Sequence, residues 1–228
     1  MINNYKDQTI KLLGCSWVYL PVIFDVIYET LAIKEFSIYK NIPVEGGPEL
    51  FNQGFYKYNA FNLPEFNFSE SDKLVFGVTG PKAKYIVFNQ FKDSYAIDLK
   101  SFINVIHPTT YLATSSMLKD GLFIEPGVII SSQTEIGNAV TIKRGVKIGH
   151  HNVIGDFCEF NPGVITGGNV KIGKGCILGV GSVIKNDITI GENTFIGMGS
   201  VVTQNIPSGV IAYGNPCKVV KNNDLWKI

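Results

Sequence analysis

Residues 147–178 read KIGHHNVIGDFCEFNPGVITGGNVKIGKGCIL, and the stretch repeats in sixes. Ile148, Ile154, Phe160, Thr166, Ile172 and Leu178 hold one phase, and glycine follows most of them, at Gly149, Gly155, Gly167, Gly173 and Gly179. The same phase runs back through Ile142, Ile136, Ile130, Ile124, Leu118 and Leu112 to Ile106, and on through Ile184, Ile190 and Ile196 to Val202, with Thr166 alone breaking the apolar series. Period six matches neither the 3.6 of a helix nor the seven of a coiled coil. It never slips as a chain of hairpins would. Each hexad therefore reads as a short strand and a corner, with the apolar residue inward and glycine admitting the tight corner. Three hexads close one triangular turn, so residues eighteen apart stack at about 4.8 Å, the ordinary strand spacing.

The rest of the composition is that of a folded protein. Hydrophobic residues make up 45% and charged residues 17% of 228, enough to bury a core and too apolar for disorder. A net charge of +1 gives no electrostatic reason to expect nucleic acid or an anionic membrane as partner. The apolar stretch Leu12 to Ile33 contains Asp25 and Glu29 and lacks a basic flank with a cleavage site, so it reads as neither signal peptide nor membrane span. Cys15, Cys158, Cys176 and Cys217 have no metal-like or disulfide spacing, and Cys158 lies eighteen before Cys176. A buried thiol ladder in a reduced, cytoplasmic protein is the expectation.

Ahead of the repeat, strands alternate with helices. Thr9 to Gly14 reads as a buried strand, Leu20 to Ile33 as a helix with Pro21 in its first turn, and Phe36 to Tyr39 as a second strand. Lys73 to Gly80 reads as a third strand, and Pro81 opens a helix through about Phe91. This order predicts a small Rossmann-like parallel α/β domain over 1–104 and the coil with its tail over 105–228. Ligands of open α/β sheets sit beyond the carboxyl ends of the strands, where glycine turns expose backbone N–H groups, and Gly14-Cys15-Ser16 occupies that place. A plain strand-to-helix turn is the other reading. His107 reads as structural, at the junction, and the tail after Val202 as a cover for the open end of the coil.

His150 and His151 stand outside the core-facing register, so packing does not explain them. Eighteen residues beyond His150 lies Gly168, a bare position over which a ligand could sit on the imidazole. Pro162, Val180 and Met198 are also eighteen apart and form an apolar ladder, the shape of seat that a pantetheine arm needs, with amides beside Gly179 and Gly197 accessible; a subunit contact is the alternative. Lys143 stacks on Glu125, a surface ion pair.

These residues carry a resemblance. The repeat looks like the left-handed β-helix acyltransferases, and the whole chain is similar to the bacterial sugar acetyltransferases that include sialic acid O-acetyltransferases and nucleotide-linked amino-sugar N-acetyltransferases. The matching stretches are Gly77-Val78-Thr79-Gly80, Val105-Ile106-His107-Pro108, His150 with Asn152 to Phe157, Asn161-Pro162-Gly163, Gly167 to Val170 and Gly214-Asn215-Pro216. The resemblance implies a left-handed coil, where strand physics alone favours right-handed crossovers. It implies a homotrimer with acetyl-CoA lying between neighbouring coils and a nucleotide-linked sugar held by the N-terminal domain, without a metal. It implies His150 as general base and the Gly168 N–H as a donor to the thioester carbonyl. Glu159 falls where some members place a second histidine near the thioester, so Glu159, Gly168, Val180 and Met198 are the expected cofactor residues, and Gly14 and Ser16 the expected substrate residues. The chain departs from the family in having His151 where an acidic neighbour of the base is usual, and Trp17-Val18-Tyr19 in the N-terminal turn.

Two other functions fit parts of the sequence. One class of carbonic anhydrase uses this solenoid with histidine-bound zinc, but needs three converging imidazoles, whereas adjacent His150 and His151 are expected to point to opposite faces. A non-catalytic scaffold would explain the missing acidic neighbour. Between amine and hydroxyl acceptors, a base without a carboxylate partner favours the amine, hence N-acetylation of an amino-dideoxy sugar in surface-glycan synthesis over O-acetylation.

Overall fold

A computed structural model describes residues 10–42, 54–69 and 72–226. The N-terminal part is a four-stranded parallel sheet built from β1 (Ile10–Leu13), β2 (Glu35–Lys40), β3 (Lys57–Asn62) and β4 (Lys73–Phe76), in the order β3-β2-β1-β4. Helices α1 (Leu20–Leu31) and α2 (Pro81–Tyr95) pack on it. Both begin with proline in the first turn, where the missing N–H costs nothing, and both end on a left-handed alanine, Ala32 and Ala96. The first strand was expected from Thr9, which lies outside the described residues. The expected strand to Gly80 ends at Phe76, and after a last ladder bond from the Gly77 N–H to the Leu13 carbonyl the chain turns into α2 at Pro81. The edge strand β3 is an element the sequence reading missed; Lys57 and Asn59 alternate with Tyr58 and Ala60, but Phe61 breaks the alternation.

From Val105 the chain winds in two-residue strands, each pairing in parallel with the residue eighteen further on. Glu135 pairs with Val153, Val153 with Lys171 and Lys171 with Thr189. Three flat faces result. The first starts at Val105–Ile106 and includes Glu159–Phe160; the second starts at Tyr111–Leu112 and includes Ile165–Thr166; the third starts at Met117–Leu118 and includes Val153–Ile154. The apolar phase fills the interior with Ile130, Ile142, Ile148, Phe160 and Leu178, all buried. Cys158 and Cys176 lie in that interior as free thiols directed at the carbonyls of Gly173 and Gly191.

The corners differ from expectation in one respect. Glycines following the apolar residue have ordinary backbone angles; they are needed because stacked coils approach closely there. A Cβ on Gly155 would lie 2.6 Å from the Lys174 nitrogen of the next coil. The left-handed residue comes two places later, as at Gly163 (φ +73°) and His151 (φ +56°), and turns the chain into the next face.

The N-terminal part lies against the first face through α1 and the start of α2. Val105 and Phe123 share a core with Leu12, Phe24 and Ile38, while Ala139 and Phe157 share another with Val87 and Phe91. His107 is buried at this junction, its Nε2 2.6 Å from Glu29 of α1. At the far end Ile206, Val210, Ala212 and Cys217 close the coil interior. The tail then runs back along one corner, where Trp226 packs against Gly175 and, with ring centroids 5.8 Å apart, against Tyr85 of α2.

Candidate active site

His150 stands on the corner between the second and third faces, and its side chain is exposed. Beneath it the backbone is locked by two buried polar side chains. Asn152 Nδ2 donates to the Gly149 carbonyl (2.8 Å) and to Thr166 Oγ1 (2.8 Å), its Oδ1 accepts from the Val170 N–H (2.5 Å), and Thr166 Oγ1 also accepts from the Gly149 N–H at 3.1 Å. This explains the one polar residue in the apolar phase. Thr166 satisfies the backbone immediately before His150, and sequence reasoning noted the break without using it.

Gly168 lies directly over the imidazole. A Cβ there would come 2.6 Å from His150 Nε2 and 3.0 Å from Nδ1, so any side chain would displace the ring. The space expected to be open above the imidazole is filled by the imidazole itself. The Gly168 N–H reaches Asn186 Oδ1 at 3.3 Å, a long bond that leaves this donor weakly committed. His151 was expected to point away from His150. Instead their Nδ1 atoms are 3.0 Å apart, because the left-handed backbone of His151 folds its side chain back over its neighbour.

The other expected residues lie elsewhere on the chain. Pro162, Val180 and Met198 line the corner between the first and second faces, a full hexad from the His150 column; Val180 and Met198 are 49% and 78% exposed. The Gly179 and Gly197 amides there are used between coils, donating to Ile196 and Ala212 carbonyls at 2.7 and 2.8 Å. The next amides, of Val180 and Met198, have no hydrogen bond among the described residues. Glu159 is buried on the first face, 2.5 Å from Lys143 Nζ and close to Gly80 at the start of α2. Lys143 therefore does not form a surface pair with Glu125. The turn into α1 and the start of α2 cover this face, and Glu125 is taken by Arg144, at 3.2 Å, and by the Tyr19 hydroxyl. Burial and that hydrogen bond raise the Tyr19 pKa far above the usual phenol range.

Gly14 and Ser16 form the turn after β1. Their amides donate to the Tyr39 and Gly77 carbonyls at 2.9 and 3.0 Å, so neither is the exposed donor that the sequence suggested. Half-burial pushes the Cys15 thiol between them up to about 11. A shallow surface groove lined by Lys171, Lys174, Thr189 and Ser208 opens on the third face, away from these residues. No cluster of three metal-ligating side chains occurs among the described residues.

Within one chain, then, the exposed imidazole and the apolar ladder stand on neighbouring corners separated by the second face. Six extended residues span roughly 20 Å.

Residues 169–204 match the family described as bacterial transferase hexapeptide (six repeats). A search of curated proteins returns no match. Among solved structures, a histidine-to-asparagine variant of perosamine N-acetyltransferase from Caulobacter crescentus, in complex with CoA and GDP-perosamine, superimposes with a TM-score of 0.74 at 22% identity, covering 94% of this chain and 97% of that one. WeeI from Acinetobacter baumannii AYE gives 0.75 at 20% identity, over 93% and 100%. The acetyltransferase domain of PglB from Neisseria gonorrhoeae FA1090, in complex with acetyl coenzyme A, gives 0.65 at 17%, over 93% and 99%. The fold is thus a small parallel α/β sheet followed by a left-handed parallel β-helix. The likeness runs through both parts of the chain.

Proposed function

We propose that this protein is an acetyl-CoA-dependent acetyltransferase that N-acetylates a nucleotide-linked amino-dideoxy sugar for a bacterial surface glycan. The observation that carries the reading is the exposed imidazole of His150 seated on Gly168, within a fold shared with a perosamine N-acetyltransferase in complex with CoA and GDP-perosamine and with an acetyltransferase domain in complex with acetyl coenzyme A. His150 takes a proton from the acceptor amine as its nitrogen attacks the thioester carbonyl carbon. The carbon–sulfur bond breaks, and the CoA thiolate leaves, taking that proton. An imidazole titrates near neutrality, which suits both transfers. The Gly168 N–H exchanges its long bond to Asn186 for the developing oxyanion.

The reading requires a second copy of the chain. The outward positions of the second face, Tyr111, Ile129, Ile165 and Val183, are exposed and apolar, interrupted by Lys147 between Ile129 and Ile165, and lie between the His150 corner and the Val180–Met198 corner. Packing three coils through this face sets the imidazole of one against the apolar ladder of the next, giving a homotrimer with acetyl-CoA in each seam. The division of labour falls near Asn104: the sheet, with Gly14 and Ser16, receives the nucleotide-sugar, and the coil performs the transfer. Glu159, held by Lys143, shapes the site from the covered face and does not touch the thioester. Four free thiols fit a reduced cytoplasmic setting, and no helix among the described residues is long and apolar enough to cross a membrane.

The test is acetyl transfer from acetyl-CoA to a panel of UDP-, dTDP- and GDP-linked amino sugars, read as CoA release. His150→Asn should lower kcat at least about a hundredfold, within the range general bases supply, while CoA still raises the unfolding temperature. Near-normal turnover in His150→Asn removes His150 from the mechanism. Transfer to hydroxyl but not amino acceptors would favour O-acetylation, and failure of CoA to bind would favour a scaffold.

A further inference from the structure

The contact between the two adjacent histidines assigns a role to His151. Its left-handed backbone is shared by Gln133, Asn169 and Asp187 in the same corner column. The rings of His150 and His151 meet edge to face, 5.1 Å between centroids, with Nδ1 to Nδ1 at 3.0 Å. Two ring nitrogens at that distance hold one proton between them; one donates and the other accepts. If His151 donates, neutral His150 carries its own proton on Nε2 and has no lone pair free for a substrate. If His150 donates, its Nε2 is free, and Nε2 is the nitrogen turned away from His151. Once His150 gains a second proton both its nitrogens are donors, and only the second arrangement keeps the contact.

We propose that His151 is the positioning residue for His150: its Nδ1 accepts the Nδ1–H of His150, leaving Nε2 as the base and sharing the charge of the imidazolium that forms. An imidazolium-to-imidazole bond is charge-assisted and gains strength as the proton arrives. Among the described residues no carboxylate bonds to His150; Gly149 and His151 are its neighbours, and Asp187 further down the column accepts from Asn169 at 3.1 Å. The proposal rests on the acetyltransferase reading for its kinetic consequence and on geometry alone for its structural one.

Both can be measured. With only three histidines in the chain, selective ¹⁵N labelling of the full protein resolves each ring, assigned by replacing one at a time. At alkaline pH, with both rings neutral, His150 should be protonated at Nδ1 and bare at Nε2. In His151→Gly, a substitution that suits φ +56°, His150 should revert to the Nε2–H tautomer usual for a free imidazole. The same variant should lower kcat about ten- to a hundredfold, short of the loss of the base itself, with the KM for acetyl-CoA unchanged. His151→Asp, also tolerated in a left-handed corner, should restore kcat because a carboxylate accepts the same proton. A wild-type His150 protonated at Nε2, or a His151→Gly enzyme with full kcat, overturns the proposal. A wild-type protein that transfers acetyl to nothing counts against the acetyltransferase reading, and the tautomer spectra then still decide the role of His151.

Discussion

Lys84 is the residue where burial and charge conflict most openly. It sits 2% exposed on the inner side of α2, its amine making one hydrogen bond among the described residues, to the Ala139 carbonyl at 3.0 Å, with the Phe76 ring 5.1 Å away. Desolvation lowers its pKa to about 7, opposed by Glu159 and assisted by Lys143. The unfolded chain holds this proton up to the ordinary lysine value of about 10.4. Between those two values the unfolded state binds more protons than the folded one, so this group makes stability rise with pH; below about 7 the cost of charging the buried amine is constant. Lys84→Met should therefore be more stable than wild type at pH 7, and the gap should narrow by on the order of 1 kcal/mol per pH unit up to pH 9. Urea unfolding of the two proteins at several pH values checks this, and parallel curves would show that Lys84 is not the titrating group.

At the scale of an element, the informative position is the strand Ile165–Thr166. Val would complete the apolar phase at 166 and match the shape of Thr, so pattern alone predicts a stabilising change. The hydrogen bonds predict the opposite. Without Oγ1 the half-buried Gly149 N–H loses its partner and the buried Asn152 amide loses one of three. Leaving a buried donor unpaired costs about 1–3 kcal/mol. Thr166→Val should be less stable by that amount in urea titration, and should lower kcat because the strand leading into His150 is no longer fixed. A variant as stable as wild type would mean that relaxation or water restores the lost bonds.

For the whole molecule, the separation of the two corners is decisive. The imidazole and the apolar ladder flank the second face of one chain, and in the proposed trimer they meet across two chains. Ile165 is central on that face, 40% exposed and beside Lys147, so Ile165→Arg places two like charges at the contact without disturbing the interior. Sedimentation should show trimers turning into monomers, circular dichroism should be unchanged, and acetyl transfer should be lost. Monomers that keep full activity would show that one chain is sufficient.

The sequence by itself determined the coil, its phase and the eighteen-residue stacking that sets Gly168 on His150, because in a repeat of fixed period every neighbour follows from chain arithmetic. For β3 it carried only a short alternation, from Lys57 to Ala60, which Phe61 breaks. The partners of Lys143 and Glu159, the meeting of His150 with His151, and the commitment of the Gly14 and Ser16 amides were decided only by the tertiary structure. Each depends on something local pattern does not encode. The turn into α1 and the start of α2 bury the first face and so select which charges pair, and a left-handed corner residue redirects a side chain that a regular strand would have sent the other way.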